Sequence, residues 1–98
     1  MPPTTLVHME KPVFLAILDQ IVLGFEEPAF RTQYTTAKAA GNVPQLMELT
    51  LGVQHRAFAD HGLDAVTGSV RFKEAGREFG LDGDVALRLA RMKAALAA

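Results

Sequence analysis

The triplet Gly-Leu-Asp occurs twice in this chain, at residues 62–64 and 80–82, and each copy follows an apolar run with helical spacing. Glycine readily adopts the left-handed conformation that ends many helices, leucine can fold back onto the last turn, and aspartate can begin the next element. Both triplets are therefore predicted to be the same stop signal, used twice. We expect no internal repeat, because a wide apolar face precedes one copy and a narrow face the other.

Proline, glycine and apolar spacing together predict five short helices and no strands. The first helix is predicted to start near Pro12, with a junction to the second at Glu26-Glu27-Pro28 and a stop at Gly41-Asn42. A third helix is predicted from Pro44 to the triplet at Gly62. After a short connection over 65–68, Thr67 or Ser69 is predicted to cap the fourth helix, and Asp82 or Asp84 the fifth. The third helix is expected to be central, because its apolar residues cover more than half of its circumference.

These signals predict an all-α fold, a compact bundle of four to five short helices in a single domain. With 98 residues the chain has room for one modest core. Residues 1–10 are expected to form a flexible N-terminal lead-in, and residues 11–98 the helical domain. On the first helix, one stripe is expected to face the core: Phe14, Ile17, Leu18, Ile21, Val22 and Phe25.

Composition excludes several functional classes. The chain has no cysteine, so disulfides and thiolate metal sites are excluded, and its net charge of −1 creates no field that would attract nucleic acid or an anionic membrane. No apolar run approaches the ~20 residues of a membrane span. The start lacks the basic region and apolar stretch of a secretory signal, so an intracellular protein that does not bind membranes is expected.

No residue pattern points to catalysis, a cofactor or a metal. His55 and His61 are six residues apart, which does not align two ligands on one helix face. Asp82-Gly83-Asp84 is similar to the start of a calcium loop, but Lys93 occupies the twelfth position, where an acid is needed. Ser69 is the only serine and lacks the flanking glycines of a nucleophile elbow. We therefore expect a protein that is not an enzyme.

The last helix is locally basic, because Arg88, Arg91 and Lys93 follow Asp84 with no further acid. Cations near a helix C-terminus complement the helix dipole, and no aromatic residues interleave with them. Nucleic-acid binding is therefore not expected.

A protein partner or self-association is the stronger expectation. Five short helices present more apolar surface than one small core readily covers, and exposed apolar patches often mark interfaces. Two alternatives stay open for these residues, an interface or internal core. The candidate interface consists of Leu23, Leu51, Val85, Leu89, Met92 and Leu96.

A second hypothesis is a small apolar-ligand-binding domain or minor enzyme. Its pocket would be lined by Met47, Phe58, Phe72 and Phe79, with His55, His61 or Tyr34 as the polar group.

Several sequence blocks carry a family resemblance that extends from about Val13 to Leu96. They are residues 18–25 with Pro28 three residues later, 37–42, His61-Gly62-Leu63, 68–72, and the run from Asp84 through Lys93 to Leu96. In these blocks and their spacing the chain resembles the protein C-ten family of small, uncharacterised eukaryotic helical proteins. The family's usual aromatic-Gly-aromatic triplet is replaced here by His61-Gly62-Leu63, and its cysteines there are missing. The resemblance implies a compact all-helical cytoplasmic or nuclear protein with a non-enzymatic role, and it supplies no catalytic residues.

Overall fold

Five α-helices follow one another in the computed structural model, which describes residues 9–97. They are α1 (Lys11–Glu26), α2 (Pro28–Ala39), α3 (Val43–Asp60), α4 (Ala65–Phe79) and α5 (Gly83–Ala97). The prediction of an all-α bundle is confirmed for this part of the chain. None of the described helices is long and apolar enough to cross a bilayer. Residues 1–8 of the predicted lead-in, including His8, lie outside the described range; Met9, which was counted with them, is buried in the core.

The centre of the bundle is α1, not α3. Its six-residue apolar stripe is fully buried, as the spacing predicts, and α1 packs against each of the four other helices. By contrast, α3 buries only Ala57 and Phe58 completely, and Met47 and Leu51 remain exposed. The prediction that α3 is central was wrong because the width of an apolar face does not show whether neighbouring helices reach all of it.

The first Gly-Leu-Asp triplet ends α3 as predicted. Gly62 has a φ of 75°, in the left-handed region. The Gly62 amide donates to the Ala59 carbonyl at 3.0 Å, and the Leu63 amide donates to the Phe58 carbonyl at 2.9 Å. These two bonds form a Schellman motif, and Leu63 packs against the core. The same pair of bonds ends α2 at Gly41, whose φ is 67°.

The second triplet does not use this geometry, so the prediction of one signal used twice was wrong. Gly80 has a φ of −61°, and Leu81 is 99% exposed instead of folding back. The Asp82 amide donates to the Phe79 carbonyl at 3.0 Å, which closes a simple turn. The two triplets share a sequence but differ in whether the core offers the leucine a place to pack.

The fourth helix begins earlier than predicted. Asp64 is its N-cap, because one carboxylate oxygen accepts the Thr67 amide at 2.8 Å, and residues 65–68 form the first turn of α4 instead of a connection. Neither Thr67 nor Ser69 caps this helix. The last residue of the first triplet therefore starts the next helix directly, as a strong capping residue.

Two glycines allow close contacts between helices. A Cβ on Gly24 of α1 would lie 2.6 Å from a methyl carbon of Val53 on α3, and a Cβ on Gly68 of α4 would lie 2.7 Å from the ring of Phe58. Backbones can approach this closely only where no side chain intervenes. These contacts place α1 against α3 and α4 against α3.

Candidate interaction surfaces

The apolar stripe of α5 faces the core. Val85 is fully buried, while Leu89, Met92 and Leu96 are partly buried and pack against the core. The prediction that Val85 belongs to a partner interface was therefore wrong, because no partner can reach this side chain in the folded monomer. Val85 thus belongs to the internal core, whereas Leu89, Met92 and Leu96 pack against the core and stay partly accessible.

Two of the three basic residues of α5, Arg88 and Arg91, pair with acids on α1. Arg88 contacts Asp19 with a Nε–Oδ1 distance of 2.5 Å, and Arg91 binds Glu26 through two hydrogen bonds of 2.7 Å each. Lys11 adds a third link near the helix starts, to Asp82 at 2.9 Å and Asp84 at 3.2 Å. The order of these contacts shows that α1 and α5 run parallel.

These ion pairs shift the pKa values of their members. The Arg91 guanidinium holds the pKa of Glu26 below its ordinary value of 4.5, and Glu26 in turn raises the pKa of Arg91. Lys11 lowers the pKa of Asp84 through a hydrogen bond. The arginines of α5 thus join two helices, a role that sequence reasoning missed because charge pairing across helices depends on the tertiary arrangement.

Leu23 and Leu51, the two remaining members of the candidate interface, are exposed by 57% and 41%. They belong to different surfaces. Leu51 continues a line of exposed side chains formed by Val43, Met47 and Leu51, which we call the α3 stripe. Spacing of i, i+4 and i+8 puts these three side chains on one helix face. Val43 was not among the predicted residues, although this spacing could have revealed it.

Leu23 lies in a groove of about 530 Å³ between α1, α2 and α3. Its apolar walls are Leu23 and Gly24 of α1, Phe30 of α2, and Leu49, Gly52 and Val53 of α3. Polar side chains line the rest of the groove, among them Glu27, Glu48 and Arg56. A volume of this size lies within the usual range of ligand pockets, about 300–1,000 Å³.

The predicted pocket around Met47, Phe58, Phe72 and Phe79 does not coincide with this groove, whose lining includes none of the four. The three phenylalanines belong to an aromatic cluster with Phe14, in which ring centroids lie 4.9–6.0 Å apart. Met47 is on the outer surface. The rings therefore contact one another in the core. Of the polar groups considered, His55 and His61 are exposed, and Tyr34 stacks on Phe30.

Within residues 9–97, no group of three or more His, Asp or Glu side chains is arranged to hold a metal ion. Comparisons with protein-family models, with curated proteins and with solved structures find no match for this chain. The functional argument therefore depends on the surfaces of the molecule itself.

Proposed function

We propose that this chain is a non-enzymatic helical interaction module, a small subunit or adaptor that binds another protein through the α3 stripe. The supporting observation is that Val43, Met47 and Leu51 form a continuous apolar line that no other described helix covers. Exposed apolar surface of this kind is typical of protein interfaces. A cytoplasmic or nuclear location and kinship with the protein C-ten family are part of the same proposal.

The setting of the α3 stripe supports this proposal. Residues 43–55 carry a single formal charge, on Glu48. The cores of interfaces are depleted of charged residues, and this part of α3 is depleted in the same way. The opposite side of α3 packs against α1 and α2, so the stripe lies on a helix that the bundle holds in place. A rigid apolar face requires little ordering when a partner binds.

Affinity purification from the native organism tests the proposal. The bait is the full chain, compared with Met47→Glu/Leu51→Glu, which places charge on the stripe. Leu81→Glu is the matched control, because Leu81 is exposed and lies in a turn outside the stripe. We expect a protein that co-purifies with the wild type and the control but is lost with the double variant.

Circular dichroism checks that all three baits are folded. Partners that bind the double variant as well as the wild type would overturn the assignment to the α3 stripe. Recovery of no protein with any of the baits would overturn the proposed function itself.

A further inference from the structure

The groove between α1, α2 and α3 has an open floor at Gly52. A Cβ at this position would meet no atom within 4 Å, whereas a Cβ at Gly24, on the same groove, would clash with Val53. The space above Gly52 is therefore large enough for a side chain that the chain itself does not supply from residues 9–97. Leu23, which is largely exposed, and Leu49 give this space an apolar lining.

The acidic and basic residues of the groove lie toward opposite ends. Gln20 of α1 contacts Asp60 near the end of α3, and Gly24 lies against Val53, so α1 and α3 run antiparallel. Glu27 and Glu48 are consequently at one end of the groove, and Arg56 is toward the other. Neither glutamate forms an ion pair with a residue in the described part of the chain. The groove thus offers an apolar floor with an acidic end.

The outer face of α4 carries the opposite pattern. It consists of Val66, Val70, Lys73 and Arg77, at steps of four, three and four residues, which align them along one side of the helix. The valines are exposed by 75% and 54%. Both cations are exposed, and neither has an ion pair with any residue from 9 to 97. The face is apolar in its first half. Its second half carries a net positive charge, since the exposed Glu74 lies beside the two cations, one turn after Val70.

We propose that the groove of one copy of this chain binds the outer face of α4 of a second copy. Val70 would lie over Gly52, and Lys73 and Arg77 would approach Glu27 and Glu48. At the ~1.5 Å rise per residue of a helix, Glu48 lies about 6 Å from Gly52 along α3, and Lys73 and Arg77 lie about 4.5 Å and about 10 Å from Val70 along α4. Lys73 is therefore level with Glu48, and Arg77 lies just beyond it at the acidic end. Complementary charges at one end select a single direction for the bound helix.

Association of this kind is heterologous, because the groove and the outer face of α4 share no residue. Each copy that fills a groove still presents its own groove, so the contact generates an open chain or a closed ring instead of a two-fold dimer. The contact also uses neither Met47 nor Leu51. It can therefore succeed or fail independently of the binding proposed for the α3 stripe.

Two variants of the full chain test this proposal by complementation. Gly52→Leu fills the groove and leaves α4 intact, whereas Val66→Glu/Val70→Glu places acids on the outer face of α4 and leaves the groove intact. Leu87→Glu is the control. It also introduces a glutamate on the surface, but at an α5 leucine that is 74% exposed and lies outside both the groove and the α4 face. Each protein is measured by light scattering after size exclusion over a range of concentrations, and circular dichroism establishes that it is folded.

For the wild type and Leu87→Glu, we expect a mass that rises with concentration beyond that of a dimer. Gly52→Leu and Val66→Glu/Val70→Glu should each be monomeric alone. Mixed in equal amounts they should form a complex of two chains and nothing larger, because one intact groove then meets one intact α4 face.

A wild type that stays monomeric at all concentrations would overturn the proposal, as would a mixture of the two variants that does not associate. A wild-type assembly that stops at a dimer and survives both changes would show a different interface. The variant Met47→Glu/Leu51→Glu should self-associate like the wild type, which separates this contact from the α3 stripe.

Discussion

At the scale of single residues, the glycines show how surroundings decide the effect of one residue type. Gly52 and Gly68 both lie within helices, where glycine is less favourable than alanine by about 1 kcal/mol. Gly52 faces open space, but Gly68 is buried against Phe58, where an added methyl group would lie within 2.9 Å of three side-chain atoms. The same substitution should therefore have opposite consequences at the two sites.

We expect Gly52→Ala to raise the free energy of unfolding by roughly 0.5–1 kcal/mol, because alanine restricts the unfolded chain and adds no clash. Gly68→Ala should lower it by on the order of 1–2 kcal/mol, because overpacking outweighs the gain in helix propensity. Urea unfolding of both variants at low protein concentration, followed by circular dichroism, measures the difference. Equal stabilisation by the two changes would show that α4 does not approach Phe58 as described.

At the scale of elements, the parallel helices α1 and α5 are joined by buried apolar residues and, at their edges, by ion pairs. Helix dipoles side by side in parallel do not attract one another, so the neighbouring charges matter for this pair. Arg91 lowers the pKa of Glu26, which means that the folded state favours the ionised carboxylate. Because these groups are exposed to water, each pair is expected to contribute little on its own.

The sign of the pH dependence follows from the lowered pKa. A carboxyl group with a lower pKa in the folded state contributes stability above its unfolded value, near 4.5, and loses that contribution as the pH falls through the folded value. We therefore expect wild type to exceed Glu26→Gln in stability at pH 6–7 and the difference to shrink below about pH 4.5.

Chemical unfolding across this pH range measures the difference between wild type and Glu26→Gln. Glu48→Gln is the control, because Glu48 is an exposed helix residue without an ion pair among residues 9–97. A difference for Glu26→Gln that stays constant down to pH 3 would contradict the assigned pairing.

At the scale of the whole molecule, the packing of α1 against all other helices decides which apolar residues are core. The apolar stripe of α5 packs in or against the core, whereas the α3 stripe and the outer face of α4 are exposed on the surface. A domain of about this size has only ~5–15 kcal/mol of stability, so a single charge in its core is a severe change.

Two glutamate substitutions on α5 test this division. Val85→Glu should unfold the domain or destabilise it by about 3 kcal/mol or more, because a carboxylate would replace a fully buried isopropyl group. Leu87→Glu, two residues away and largely exposed, should change the free energy of unfolding by less than about 0.5 kcal/mol. Thermal unfolding of both variants is the measurement, and a folded Val85→Glu protein of normal stability would place α5 outside the core.

Local signals in the sequence were sufficient for the number of helices and for most of their boundaries, although α4 begins earlier than predicted. Apolar spacing identified the buried stripe of α1, and proline and glycine located the junction at Pro28 and the left-handed stops at Gly41 and Gly62. These features depend on backbone geometry and on residues within one or two helical turns. The local sequence therefore determines them, independently of contacts with other helices.

The tertiary structure alone decided which faces are covered. Val85 and Leu51 have the same apolar character in the sequence, yet one is fully buried and the other is exposed. The partners of Arg88 and Arg91 and the groove at Gly52 also depend on helices distant along the chain. Burial and charge pairing arise from which helices meet, and the spacing within a single helix carries no information about that.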